Sequence, residues 1–101
     1  MDIQKLMKQA QQMQAGMQKT QEELANKNVE ASVGGGKVTV VANGAGDVQS
    51  IRIDPSVVDP EDVEFLQELI LSGVQEAVTK GKEMAAAEMS KLTGGMGLPG
   101  M

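Results

Sequence analysis

The chain has 101 residues, a formal net charge of -5, no Cys, His, Trp or Tyr, and a single aromatic residue, Phe65. That length allows one domain, and the missing residue types remove disulfides, thiolate and imidazole metal sites and the commonest general base. No apolar run approaches the roughly 18 residues that span a bilayer. Met1-Asp2-Ile3-Gln4-Lys5 has no signal-peptide pattern, so a soluble cytoplasmic protein is expected.

With Phe65 as the only aromatic residue, the core has to be built from Val, Ile, Leu, Met and Ala, which bury less area per side chain. Association with further copies is one usual remedy for a thin core in a short chain. The acidity is uneven. Residues 1–28 carry four Lys against Asp2, Glu22 and Glu23, whereas residues 59–101 carry three Lys against eight acids. A negative total argues against nucleic acid as a partner, but the N-terminal segment is locally positive.

The first element is a helix. Ile3, Leu6, Ala10, Met13, Met17, Thr20 and Leu24 recur at alternating spacings of three and four, a heptad seam. Asp2 suits the N-cap. Gly16 weakens the middle by about 1 kcal/mol relative to Ala. The remaining residues are mostly Gln, Lys and Glu, so propensity does not hold this helix alone and the seam needs a packing partner. Residues 1–28 are read as a helical arm.

Three strands follow within residues 29–54. Val29, Ala31 and Val33 alternate with Glu30 and Ser32. After Gly34-Gly35-Gly36, Val38, Val40 and Ala42 share one face and Thr39 and Val41 the other. Asn43-Gly44-Ala45-Gly46 is expected to supply the positive-φ residues of a hairpin. Ile51 and Ile53 then share a face, opposite Val48, Ser50 and Arg52. Short turns make this an antiparallel meander, ended by Asp54-Pro55.

Asp59-Pro60-Glu61-Asp62 reads as a helix start with Asp59 at the N-cap and Pro60 at the first helical position. The helix is expected over residues 59–92, with Val63, Leu66, Leu69, Ile70, Val74, Ala77, Val78 and Ala85 forming an apolar stripe over the sheet. Lys80, Lys82 and Lys91 lie toward its C-terminal end, as the helix dipole favours. From Thr93 the Gly/Met-rich residues 93–101 read as a flexible tail.

Several motifs have a competing chemical reading. Gly34–Gly36 lacks the Lys-Ser/Thr and the following helix of a phosphate loop, and reads as a turn. Asp47, Asp54, Asp59, Glu61 and Asp62 do not fit a calcium-loop spacing, and each has a capping or turn role. Met7, Met13 and Met17 could make an adaptable binding groove, although Met13 and Met17 already belong to the seam. Lys5, Lys8, Gln12 and Lys19 fall within an arc of about 60° and extend about 21 Å along the helix axis. A phosphate backbone could lie along that stripe; a solvated helix face is the competing reading. Lys80 and Lys82 are further DNA-contact candidates.

The order of these parts resembles a known family. A Gln/Met/Lys-rich helix precedes Gly-Gly-Gly-Lys-Val-Thr-Val, Asn-Gly-Ala-Gly-Asp-Val and Ile-Arg-Ile-Asp-Pro-Ser-Val-Val-Asp-Pro-Glu-Asp. Leu66-Gln67-Glu68-Leu69-Ile70 and an Ala/Met-rich helix end come next. Over residues 2 to about 92 this is similar to the YbaB/EbfC family of nucleoid-associated proteins. The resemblance implies an α+β homodimer with a central body of sheets and projecting helical arms. It implies a nucleoid-associated, non-enzymatic protein that binds double-stranded DNA, alters its conformation and affects gene expression. It implies no cofactor, small-molecule substrate or membrane. It transfers no DNA-contacting residue, so the lysine stripe rests on periodicity alone. The alternative is a protein-interaction or chaperone-like module that clamps its partner with coiled-coil arms.

Overall fold

The structure, a computed structural model, describes residues 2–94. Helix α1 (Ile3–Ala25) leads into strands β1 (Asn28–Val33), β2 (Val38–Asn43) and β3 (Val48–Ile53). A 3-10 turn (Pro55–Val57) follows, and helix α2 (Val63–Gly94) completes the order. This is the α+β arrangement expected: a long helix, a three-stranded antiparallel meander and a second long helix. Of the tail expected at residues 93–101, the backbone of Thr93 and Gly94 continues α2, and the rest lies outside the described residues.

The sheet is a meander in the order β1-β2-β3. Ala31 pairs with Val40 and Val40 with Ile51, so one face collects the apolar residues of all three strands. The opposite face is polar: Ser32, Thr39 and Arg52 lie in one row, and the Ser32 and Thr39 hydroxyls are 3.0 Å apart. Helix α2 covers the apolar face. Its Ala77 is buried with Ala31, Val38, Val40 and Ala42, flanked by Val29, Val33, Ile53, Leu69 and Val74. Gly73 lets the helix come down onto β2, since a Cβ there would stand 2.9 Å from a Val40 methyl.

Helix α2 packs against β1 and β2 far more than against β3. Ile51 is therefore left 43% exposed and Val48 39% exposed. The structure corrects the expected position of Val48. A register irregularity between Val41 and Ala42 pairs Val48 with Ala42, so it stands on the Ile51 side and not with Ser50 and Arg52. Strict alternation fails where a strand carries one extra residue.

Two local expectations also change. Helix α2 begins at Val63, four residues after the expected cap. Asp59 spends its carboxylate on a turn, accepting from the Glu61 N–H at 2.9 Å, and the Asp62 N–H donates to its carbonyl. Asp62 caps the helix instead, accepting from the Phe65 N–H at 3.3 Å. In the β2–β3 hairpin only Gly46 has positive φ; Asn43 and Gly44 do not. Asn43 ends β2 as a buried residue, and Gly44 is needed for its size, because Leu24 lies against it.

Beyond the sheet α2 continues outward beside α1. Leu24 borders one groove with Ala85, Ala86 and Met89, and Gly16 lies beside Leu92, so the two helices run antiparallel. Lys27 and Glu88 join them at 3.7 Å. The molecule measures 71 × 27 × 17 Å, a small body with an extended helical arm.

Candidate nucleic-acid interface

The arm carries the positive charge of the N-terminal segment. Asp2 starts α1 by accepting from the Gln4 and Lys5 N–H groups, which places the first lysine on the opening turn. Helix α1 spans 23 residues, about 35 Å at 1.5 Å per residue. Lys5, Lys8, Gln12 and Lys19 are all exposed. Among the described residues no carboxylate pairs with Lys5, Lys8 or Lys19; the ion pairs are Lys27–Glu88, Lys91–Glu88 and Lys37–Asp54. Gln12 differs from its three neighbours, because it borders the groove between α1 and α2 with Gln9, Met13, Gly16 and Leu92.

The second pair of candidate lysines stands elsewhere. Lys80 reaches across β1 and donates to the Glu30 carbonyl at 3.0 Å. The Lys82 stem lies over the β2–β3 hairpin, 3.6 Å from the position of a Cβ on Gly46. Two positions apart on a helix, they point about 160° away from each other, so they do not extend the α1 stripe as one surface. Arg52 is exposed on the polar sheet face, away from the arm.

The expected seam divides. Leu24 is buried, and Met13 and Thr20 are half-buried within the chain. Ile3 is 69% and Leu6 47% exposed, and Ala10 and Met17 are exposed as well. The side of α1 that faces α2 runs through Met13, Gly16, Thr20 and Leu24 and is rotated by about 50° from the seam's centre. Periodicity missed Gly16 and Ala86, because small residues give a weak apolar signal although they allow two helices to approach, and it assigned Ala85 to the stripe over the sheet, whereas Ala85 borders the groove beside Leu24 of α1.

The Asp54 carboxyl is shifted. The Ser56 backbone N–H donates to it at 2.8 Å and holds its pKa below the usual value, assisted by Lys37 at 3.6 Å. Both partners are partly exposed, so the pair closes the strand end and is a minor source of stability.

The chain has many relatives. A sequence profile described as the YbaB/EbfC DNA-binding family matches residues 1–96. A nucleoid-associated protein of Acetivibrio thermocellus is 58% identical over 101 residues, covering 99% of this chain and 89% of the relative. One from Ruminiclostridium cellulolyticum is 59% identical over 97 residues, covering 95% and 84%. Among solved structures, an uncharacterized protein from Helicobacter pylori superposes with a TM-score of 0.70 at 26% identity, over 95% of this chain and 97% of that one.

Proposed function

The chain belongs to the YbaB/EbfC DNA-binding family, and from that premise we propose that it works as a homodimer whose arms lie along duplex DNA in the nucleoid. The observation that carries this reading is the face of Lys5, Lys8 and Lys19. Three cations are exposed along one side of a projecting helix with no acidic partner among the described residues. Their spacing of about 21 Å suits contact with a run of phosphates. Phosphate contacts position a protein without reading bases. The best guanine reader, Arg52, stands on the sheet and not on this face, so binding is sequence-tolerant. The consequence for the cell is altered DNA conformation and, through it, altered gene expression.

The uncovered side of β3 supports the dimer. Its outer edge has no neighbouring strand among the described residues, and its own Val48 and Ile51 remain open. An antiparallel edge of this kind pairs with its own copy across a two-fold axis and removes both edges from solvent. The second copy would cover the apolar residues that α2 leaves open. Sedimentation equilibrium at micromolar concentration tests this: a stable 10.6 kDa species rules the dimer out.

Titration of a duplex at several salt concentrations tests the DNA reading. About six phosphate contacts per dimer give a slope of log K against log salt near -5, from about -0.9 per phosphate. The second reading, a non-enzymatic protein clamp, draws on the open Ile3, Leu6, Met7 and Met17 side of α1. Its signature is capture of a defined protein partner, abolished by Leu6→Lys, with no retardation of DNA at low salt.

A further inference from the structure

We propose that Asn43 is a positioning residue: its side chain ties the end of α1 to the β2–β3 hairpin and thereby sets the direction in which the lysine-bearing helix leaves the body. The role rests on the reading of that helix as the DNA contact, but the tie is defined by geometry of its own.

A helix leaves its last four carbonyls without internal partners. In α1 these belong to Glu22, Glu23, Leu24 and Ala25. Local groups answer the first three: Asn26 donates its side-chain amide to Glu22 at 3.2 Å and its backbone N–H to Glu23 at 3.1 Å, and the Lys27 N–H donates to Leu24 at 3.1 Å. The hairpin supplies the donor to the fourth, Ala25, and a second donor to Leu24. Asn43 Nδ2 donates to the Ala25 carbonyl at 3.1 Å, and the Gly44 N–H donates to the Leu24 carbonyl at 2.9 Å. Asn26 alone would suffice to stop a helix. Donors from residues 43 and 44 do something further, which is to fix where the helix end sits on the sheet.

Asn43 suits this because each end of its amide has a separate task. It is only 4% exposed, and its Oδ1 accepts from the Ala45 and Asp47 N–H groups at 3.0 and 2.9 Å, holding the hairpin while Nδ2 holds the helix. Packing reinforces the joint from two sides. A Cβ on Gly44 would lie 2.8 Å from the Leu24 Cβ and 2.9 Å from its carbonyl oxygen, so α1 rests directly on the hairpin backbone. A Cβ on Gly81 would collide with the Asn43 carbonyl oxygen, so α2 crosses at the same residue.

Lever length makes the joint matter for binding. Lys5 lies 19 residues before Leu24, about 29 Å along the axis. A swing of about 20° at the joint moves it by about 10 Å, roughly three nucleotides of rise along one DNA strand. An arm free to swing therefore spends only part of its time in the binding geometry, and the apparent affinity falls by that fraction.

Asn43→Asp separates the two tasks. The carboxylate still accepts from the hairpin N–H groups but presents an oxygen to the Ala25 carbonyl, which breaks the tie. Gly44→Ala displaces α1 without adding charge and serves where Asp proves too destabilising. The chain contains no cysteine, so spin labels at Gln11→Cys and Ser50→Cys, both exposed positions, report the arm-to-body distance in full-length protein diluted with unlabelled copies. Wild type should give one narrow distance distribution. Each variant should widen or shift it, and should lower duplex affinity about tenfold at an unchanged salt slope, because every lysine is still present. Folded variants with the wild-type distribution overturn the tie. A widened distribution with undiminished affinity overturns its role in binding. Wild type that fails to bind duplex at low salt defeats the DNA reading and this role with it, and the distance data still decide whether Asn43 holds the joint.

Discussion

Two glycines in helices, Gly81 in the body and Gly16 in the arm, show how differently the two regions are built. At Gly81 a Cβ would meet the backbone of β2; at Gly16 it would find the Leu92 side chain at 3.7 Å, an ordinary contact. The body is closed: Val38, Val40, Ala42 and Ala77 are fully buried and α2 lies directly on the strands. In the arm, among the described residues, only Leu24 is buried, and its outer turns keep Ile3, Leu6 and Met7 in solvent. The body therefore carries the stability, and the arm carries the accessible charge.

Substituting both glycines should break the comparison most sharply. Gly81→Ala forces α2 off Asn43 and should lower stability by about 3 kcal/mol, an overpacking cost that exceeds the gain in helix propensity. Gly16→Ala should instead raise stability by about 0.5–1 kcal/mol, because the propensity gain meets no clash. Urea denaturation of both variants reads the signs directly, and equal signs would contradict the contrast.

A pair of truncations sharpens it at smaller scale. Val40→Ala leaves a void in a fully buried site and should cost about 2 kcal/mol. Leu6→Ala should cost less than about 0.5 kcal/mol in the same assay, the usual size of a surface effect. A large loss at Leu6 would place that side chain under a second copy and move part of the dimer contact onto the arm.

Much of this difference was legible in the sequence, and the rest has physical reasons for being hidden. The 3.6-residue period of α2 and the alternation through Val38, Val40 and Ala42 located the core, because burial on one face leaves a pattern. Ile51 has the same alternation yet stays exposed, since alternation identifies a face and not how far a covering helix reaches across it. Asp59-Pro60 carries helix-start chemistry, but the same residues make a turn, and Asp62 took the cap. Asn43-Gly44 has hairpin composition, which concealed a buried amide that serves α1 across 18 residues. The outer part of α2 was harder still: Ala85 read as the end of the stripe over the sheet and Ala86 and Met89 as a helix end, yet all three line the groove beside Leu24 in the arm. The lysine stripe was the most legible part of the candidate site, because charge on an exposed helix face is set by spacing alone.

The smallest expected effect concerns acid. The carboxyl of Asp54 titrates below its usual value, first through the Ser56 N–H. Its stabilising contribution is present above the unfolded-state pKa and is lost as pH falls through the lowered folded-state value. Asp54→Asn should therefore remove a slight part of the stability loss between about pH 4 and lower pH and leave the rest of the profile unchanged. Carbon-detected titration of the Asp54 carboxyl checks the direction, and a midpoint above the ordinary aspartate value contradicts it.

The central claim is that the exposed lysine face of α1 lies on the DNA backbone. Its most direct test is a duplex titration across a salt series with wild type and with Lys5, Lys8 and Lys19 all replaced by Gln, which retains helix propensity and removes the charge. Wild type should bind duplexes of unrelated sequence alike with a log–log salt slope near -5, and the triple variant should bind all of them more weakly with a markedly flatter slope. A triple variant that binds as tightly as wild type, with the same slope, would contradict the claim and turn attention to Lys80, Lys82 and Lys91.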